Sequence, residues 1–251
     1  MLLTNLVPAI LIKRYKRFLA DVRFADGTES TVHCPNPGSM LGLAEPGMTV
    51  YLSRAKNTDA KLPWGWRLVD VGSSLVCIDT MMANKLFAEA FQNGTLTEFA
   101  QYDQIKPEHK YGDSRFDFLL SSSKVSGKKI PLQTMVEVKS TTLVVEEIDK
   151  IAAFPDAKTE RGLKHLNTLS AALAADSNLR CAQYYVVARS DTAGFKPASW
   201  IDPAYAEGLA RAKAAGVEVF CRQLDFHLRP DAASIGSFCV EMKISSPVEF
   251  L

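Results

Sequence analysis

Glu137 and Lys139 stand two residues apart in Thr134-Met135-Val136-Glu137-Val138-Lys139-Ser140. In a strand, that spacing puts a carboxylate and an ammonium on one face, while Val136 and Val138 take the other. The same acid-x-Lys spacing recurs at Asp59/Lys61, Glu108/Lys110, Asp156/Lys158 and Glu241/Lys243, so by itself it describes any salt-bridged strand face. A second acid distinguishes this pair. In Arg115-Phe116-Asp117-Phe118-Leu119-Leu120, Asp117 is wedged between two phenylalanines, with Phe116, Phe118 and Leu120 expected on the buried face. Burial disfavours a charge there unless it is paired or bound to metal. If the two segments pair through the polar loop 121–129, Asp117 and Glu137 converge at one edge of a sheet. Two convergent carboxylates form a hard-oxygen site for Mg2+ or Mn2+, and Lys139 could orient or deprotonate an attacking water and help neutralise a phosphate. The chemistry implied is metal-assisted phosphodiester hydrolysis.

The flanking sequence supplies elements to hold such a site. From Met81 to Phe91, the residues Met82, Leu86, Phe87 and Ala90 follow helical spacing, Thr80 is placed to cap the start, and Asn93-Gly94 ends the run. A longer helix is predicted over 159–175, with Leu163, Leu166, Leu169 and Leu173 on one stripe and Asp156 or Thr159 capping its amides. Strand 182–188, helix 203–215, strand 217–222 and strand 238–244 complete an α/β order. The first eighty residues differ. Short strands are expected at 17–25, 30–33, 48–53, 66–71 and 74–78, with Asp26-Gly27 as a hairpin turn and Phe18, Ala20, Val22 and Phe24 on the buried face. Strands this short and numerous suggest a small closed barrel of the five-stranded OB type. The predicted class is α+β: a small OB-like barrel over 1–80, then an α/β domain over 81–251 with a central mixed sheet flanked by helices.

Composition bounds the partners. The chain has 251 residues, 47% of them hydrophobic, and its 29 Lys+Arg against 28 Asp+Glu leave a net charge of +1. That excludes disorder and a disulfide-stapled miniprotein, and it requires any nucleic-acid surface to be local. The densest basic cluster is Lys13, Arg14, Lys16 and Arg17, interleaved with Tyr15 and Phe18, a pattern that can track a phosphate backbone and stack bases. A second basic set, Arg161, Lys164 and His165 with Thr168, lies at helical spacing on the face expected to point away from the leucines. There Arg161 could bind phosphate and His165 could donate or carry a proton. The loop Asn36–Ser39 offers backbone groups that could meet a phosphate. Five scattered cysteines without Cys-x-x-Cys spacing read as reduced, buried thiols. The N-terminal apolar run precedes its basic residues, the reverse of a secretory signal, and no stretch is long enough to span a bilayer, so a cytoplasmic location without membrane contact is expected.

Several segments, taken in order, carry a resemblance. They are Arg14-Tyr15-Lys16-Arg17-Phe18-Leu19-Ala20-Asp21-Val22; His33-Cys34-Pro35-Asn36 with Gly38-Ser39-Met40; Tyr111-Gly112 with Ser114-Arg115-Phe116-Asp117-Phe118; Val136-Glu137-Val138-Lys139-Ser140; and Phe154-Pro155-Asp156-Ala157 with Thr159, Arg161-Gly162 and His165-Leu166. Over nearly its whole length the chain resembles the sugar fermentation stimulation protein A (SfsA) family, whose C-terminal part is similar to the PD-(D/E)XK nucleases. The resemblance implies an OB-like DNA-binding domain, a nuclease-like domain, and a link to the regulation of sugar, notably maltose, metabolism. It places Asp117, Glu137 and Lys139 at the catalytic positions and Asp117 and Glu137 at a Mg2+ or Mn2+ site. Glu89, in the first helix, is the further acid that this fold often supplies, with Glu108 a comparable candidate. Lys13, Arg14, Lys16, Arg17, Arg161 and His165 are the expected DNA contacts. The family usually has threonine where this chain has Pro37. Two outcomes remain open: a Mg2+-dependent endonuclease or exonuclease, and a non-catalytic DNA-binding transcriptional regulator on the same scaffold.

Overall fold

A computed structural model describes residues 1–55, 57, 59–123, 132–145 and 150–251. Its N-terminal half contains β1 (Leu2–Tyr15), β2 (Leu19–Arg23), β3 (Glu29–His33), β4 (Thr49–Arg54), β5 (Trp64–Asp70), β6 (Leu75–Cys77) and α1 (Met82–Gln92). After a short 3-10 turn, Thr97–Phe99, come β7 (Gln104–Tyr111), β8 (Ser114–Ser121), β9 (Gln133–Thr141), β10 (Leu143–Val145), β11 (Ile151–Phe154) and α2 (Glu160–Ala175). The chain ends with β12 (Leu179–Val187), β13 (Gly194–Pro197), α3 (Pro203–Ala214), β14 (Glu218–Pro230), β15 (Phe238–Pro247) and β16 (Glu249–Phe250). Most of the loop expected at 121–129 lies outside the described residues.

The first five strands pair in a ring, β1–β2–β3–β5–β4–β1, the join between β3 and β5 being the single parallel pair His33/Gly65. Ala20, Val22, Val32, Val50, Leu52 and Trp66 fill the ring. β1 was not expected as a strand, because its apolar residues do not alternate cleanly. It is fourteen residues long and serves two sheets: Val7 to Tyr15 build the ring, while Leu2, Leu3 and Leu6 pair with β15. The segment before residue 7 therefore belongs by pairing to the second half of the chain, so residue 80 does not separate two self-contained sheets. Phe18 also departs from expectation. It lies outside β2, in a turn where Lys16 and Arg17 adopt positive φ, and is exposed rather than in the core.

From β1 the sheet continues through β15, β14, β12, β9, β8 and β7, mixed parallel and antiparallel. One face packs on α1, with Phe87, Phe118, Val136, Val138 and Tyr184 at the contact. The other packs on α2 and α3 through Met135, Leu166, Leu169, Tyr185 and Tyr205. Phe118 and Leu120 join the first cluster, whereas Phe116 joins the second, so the three do not form one face. The amide of Met81 is received by Asp79 Oδ1, not by Thr80, whose hydroxyl turns to the Pro35 carbonyl. Thr159 caps α2 by accepting from the Gly162 amide at 3.1 Å. Asp202 caps α3 with one carboxylate oxygen and accepts the Thr159 amide with the other, tying the two helix starts together. A Cβ at Gly208 would meet the Leu163 Cδ1 methyl at 2.3 Å, so any larger residue there would have to displace that side chain between α2 and α3.

Polar contacts fix the ring against the second sheet. Asp191, which Arg189 and Lys150 both engage, accepts from Ser73 of the β5–β6 turn, while Ser190 meets Ser74. The five cysteines are free and buried.

Candidate metal centre

β8 and β9 pair in register from Ser121/Gln133 to Phe118/Val136, and their pairing ends there. One residue on, Asp117 Oδ2 takes the Val138 amide at 2.8 Å, and Oδ1 accepts from Asn84 of α1 at 2.6 Å. This side-chain-for-backbone exchange coincides with the switch of Phe116 to the opposite cluster. It also brings Asp117 next to Glu137.

Glu137 lies on a central strand, and its side chain is 4% exposed. Its Oε1 receives two donors, Lys139 Nζ at 2.5 Å and His165 Nδ1 at 2.6 Å. Its Oε2 is buried and has no hydrogen-bond partner among the described residues. Burial works to raise the Glu137 carboxyl, but the His165 hydrogen bond and the Lys139 charge outweigh it and hold the group below its usual value. Asp117 moves the other way: burial, then the adjacent Glu137 charge, raise its carboxyl despite the Val138 and Asn84 donors. A buried carboxylate oxygen with nothing to accept from is costly, on the order of 1–3 kcal/mol. That oxygen and the unfavourable charge on Asp117 are both what a divalent cation would relieve. No group of three or more His, Cys, Asp or Glu is arranged to hold a metal among the described residues. Two carboxylates fit Mg2+, which ordinarily keeps several waters and takes only one or two protein carboxylates.

The remaining expected site residues separate. Glu89 is on α1, but its carboxylate pairs with the Met1 ammonium at 2.5 Å; Asn84 is the α1 residue that hydrogen-bonds Asp117. Glu108 pairs with Arg115 on the exposed β7–β8 hairpin. His165 is buried against Glu137 and Phe116 rather than presented to solvent. The reason is that this side of α2 lies on the sheet, against Phe116 of β8 and Glu137 of β9, which widens its buried arc beyond the leucine stripe. Arg161 and Lys164 stay exposed. In the basic cluster, Lys13 pairs with Asp21 at 3.5 Å. Arg14 donates to the carbonyls of Arg17, Asn36, Gly38 and Ser39, so it organises a loop and four of its five N–H donors are engaged there. Within that loop the Gly38 amide is taken by Asn36 and the Met40 amide faces Asp156, which removes much of the backbone expected to meet phosphate. Lys16 and Arg17 are exposed and have no ion-pair partner among the described residues.

A cleft of about 440 Å³ opens beside Lys139, with Arg17, Asn36 and Gly38 on one wall and Phe154 to Thr159 on the other. The walls approach closely: a Cβ on Gly38 would sit 2.1 Å from Asp156 Oδ2. Sequence reasoning missed two further residues. Asn84 gave no signal beyond being a poor helix former. Gln183, fully buried in the apolar run of β12, donates to the Glu137 carbonyl at 3.1 Å, and an amide amid Cys181 to Val187 was the available clue.

Residues 81–230 match the family model described as the sugar fermentation stimulation protein RE domain, and residues 12–78 match the SfsA N-terminal OB domain. A sugar fermentation stimulation protein homolog from Paramagnetospirillum magneticum is 48% identical over 233 residues, covering 92% of this chain and 93% of the relative. One from Acidithiobacillus ferrooxidans is 43% identical over 234 residues, covering 93% and 96%. The structure of Pyrococcus furiosus SfsA in complex with Ca2+ superposes with a TM-score of 0.80 at 26% identity, covering 100% of this chain and 98% of that one.

Proposed function

The chain belongs to the sugar fermentation stimulation protein family, and from its site we propose a DNA-binding protein with a divalent-metal-dependent phosphodiesterase centre. The observation that carries this reading is the unpartnered Glu137 Oε2, buried beside Asp117 with Lys139 at the adjoining cleft. The Ca2+ of the Pyrococcus relative supports a divalent ion, with Mg2+ or Mn2+ the proposed working metal. Asp117 and Glu137 would hold it. When bound, such an ion supplies Lewis-acid polarisation of a phosphate and charge neutralisation.

The chain's own groups do the rest. His165 and Lys139 fix Glu137 by one oxygen, leaving the other free. Lys139, 18% exposed, presents an ammonium to the cleft, where it can neutralise charge growing on a phosphate and orient the attacking water. Asn84 and the Val138 amide hold Asp117 in place. Lys16, Arg17, Lys158 and Arg161 supply exposed cations for the backbone of DNA. The link to sugar, notably maltose, metabolism would then run through DNA. The two donors on Glu137 Oε1 also favour a second reading, a non-catalytic regulator whose acid is already neutralised.

Incubation with supercoiled, linear and single-stranded DNA in Mg2+ or Mn2+, beside Glu137→Ala and Lys139→Ala, separates the two. Metal-dependent cleavage by the native chain above both variants is expected. Binding without cleavage favours the regulator.

A further inference from the structure

The cleft beside Lys139 has a shape and lining that select among forms of DNA. Its volume of about 440 Å³ lies near the small end of the ~300–1,000 Å³ typical of small-molecule pockets. A double helix cannot enter a space of that size between two walls. Both walls carry exposed cations, Arg17 on the ring side and Lys158 opposite, with Lys139 between them. Asp156, the one acid in the lining, is turned onto the Ser39 hydroxyl and Met40 amide, each 3.5 Å away. Thr141, 1% exposed, also lines the cleft, and its hydroxyl lacks a partner among the described residues.

At the rim stands an aromatic surface. Phe18 follows Arg17, is 46% exposed, and lies 6.5 Å from the His33 ring at 22° between planes. Its carbonyl receives the Cys34 amide, two residues before Asn36 enters the cleft wall. The positive φ of Lys16 and Arg17 forms the turn that leaves this ring outside the barrel core. An exposed ring beside cations is the arrangement on which unpaired bases stack; in a duplex the base faces are covered by their neighbours.

We propose that the cleft receives single-stranded DNA, its backbone passing between Arg17 and Lys158 toward Lys139 and an unpaired base resting on Phe18. This rests on the DNA reading above and narrows its substrate to unpaired strands or duplexes with unpaired ends.

Fluorescence anisotropy of the full chain in Ca2+ at fixed salt tests it, using one sequence as a single strand, a blunt duplex and a duplex with a single-stranded overhang. The single strand and the overhang are expected to bind about tenfold or more tighter than the blunt duplex. Phe18→Leu, which keeps an apolar side chain but removes the ring, is expected to weaken single-strand binding about fivefold or more, with Phe18→Trp restoring it. Equal or tighter binding of the blunt duplex, or unchanged single-strand affinity in Phe18→Leu, overturns the proposal while leaving the DNA reading intact. Binding to none of the three overturns both.

Discussion

Nδ1 of His165 lies 2.6 Å from Oε1 of Glu137, and the two side chains are 5% and 4% exposed. Glu137 is held below its usual value, so it is ionised at neutral pH and can only accept. The proton between them therefore resides on Nδ1. His165 orients the acid, and its contribution should appear in metal affinity as well as in stability. His165→Ala should lower stability by about 2 kcal/mol and weaken divalent-metal affinity about 10–100-fold. His165→Asn, which keeps an amide donor near the Nδ1 position, should recover much of the metal affinity. Calorimetric metal titration alongside denaturant unfolding reads both effects.

Arg14 and Arg17 are neighbours in one basic cluster with different work. Arg14→Ala strips donors from four loop carbonyls and should cost roughly 2–3 kcal/mol in urea unfolding. Arg17→Ala should leave stability within about 0.5 kcal/mol and reduce the salt slope of DNA binding by about one. A stability loss in Arg17→Ala matching that of Arg14→Ala would refute the distinction.

Asp191 links the two sheets at the Ser73 turn, and its carboxyl lies far below its ordinary value. Burial opposes this shift, and the donors Arg189, Lys150 and Ser73 outweigh it. The unfolded chain therefore binds the proton first. The stabilisation is fully present above the usual value of 3.8 and is lost as pH falls toward the depressed folded value. Asp191→Asn should cost roughly 2–3 kcal/mol at pH 7, since Arg189 is buried while Lys150 stays partly in water. The difference between native and variant should shrink below about pH 4. Thermal unfolding across pH 2.5–7 measures it, and a pH-independent difference would contradict the assignment.

The shared face of Glu137 and Lys139 was legible because strand alternation is local: residues 135, 137 and 139 must share a face wherever β9 lies. The helical runs were legible for the same reason, and α1, α2 and α3 begin and end within two residues of expectation. What the sequence hid depends on contacts between distant segments. Glu89 and Asn84 share one helix, and only the packing of α1 decides which of them reaches Asp117. Arg14 looks like its neighbours until the loop at 36–39 folds over it. His165 lies off the leucine stripe, but Phe116 and Glu137 of the sheet cover that side of α2 and bury it. β1 escaped notice because one strand crossing from barrel to sheet meets two different environments and shows no single alternation.

The central claim is that Asp117 and Glu137 together hold a divalent cation through the buried, unpaired Glu137 oxygen. Calorimetric titration of Mn2+ into the native chain, Asp117→Asn, Glu137→Gln and Glu89→Gln tests it most directly. Saturable binding is expected in the native chain and in Glu89→Gln, weakened about tenfold or more in the other two. Native-like affinity in Glu137→Gln, or a loss confined to Glu89→Gln, would contradict it.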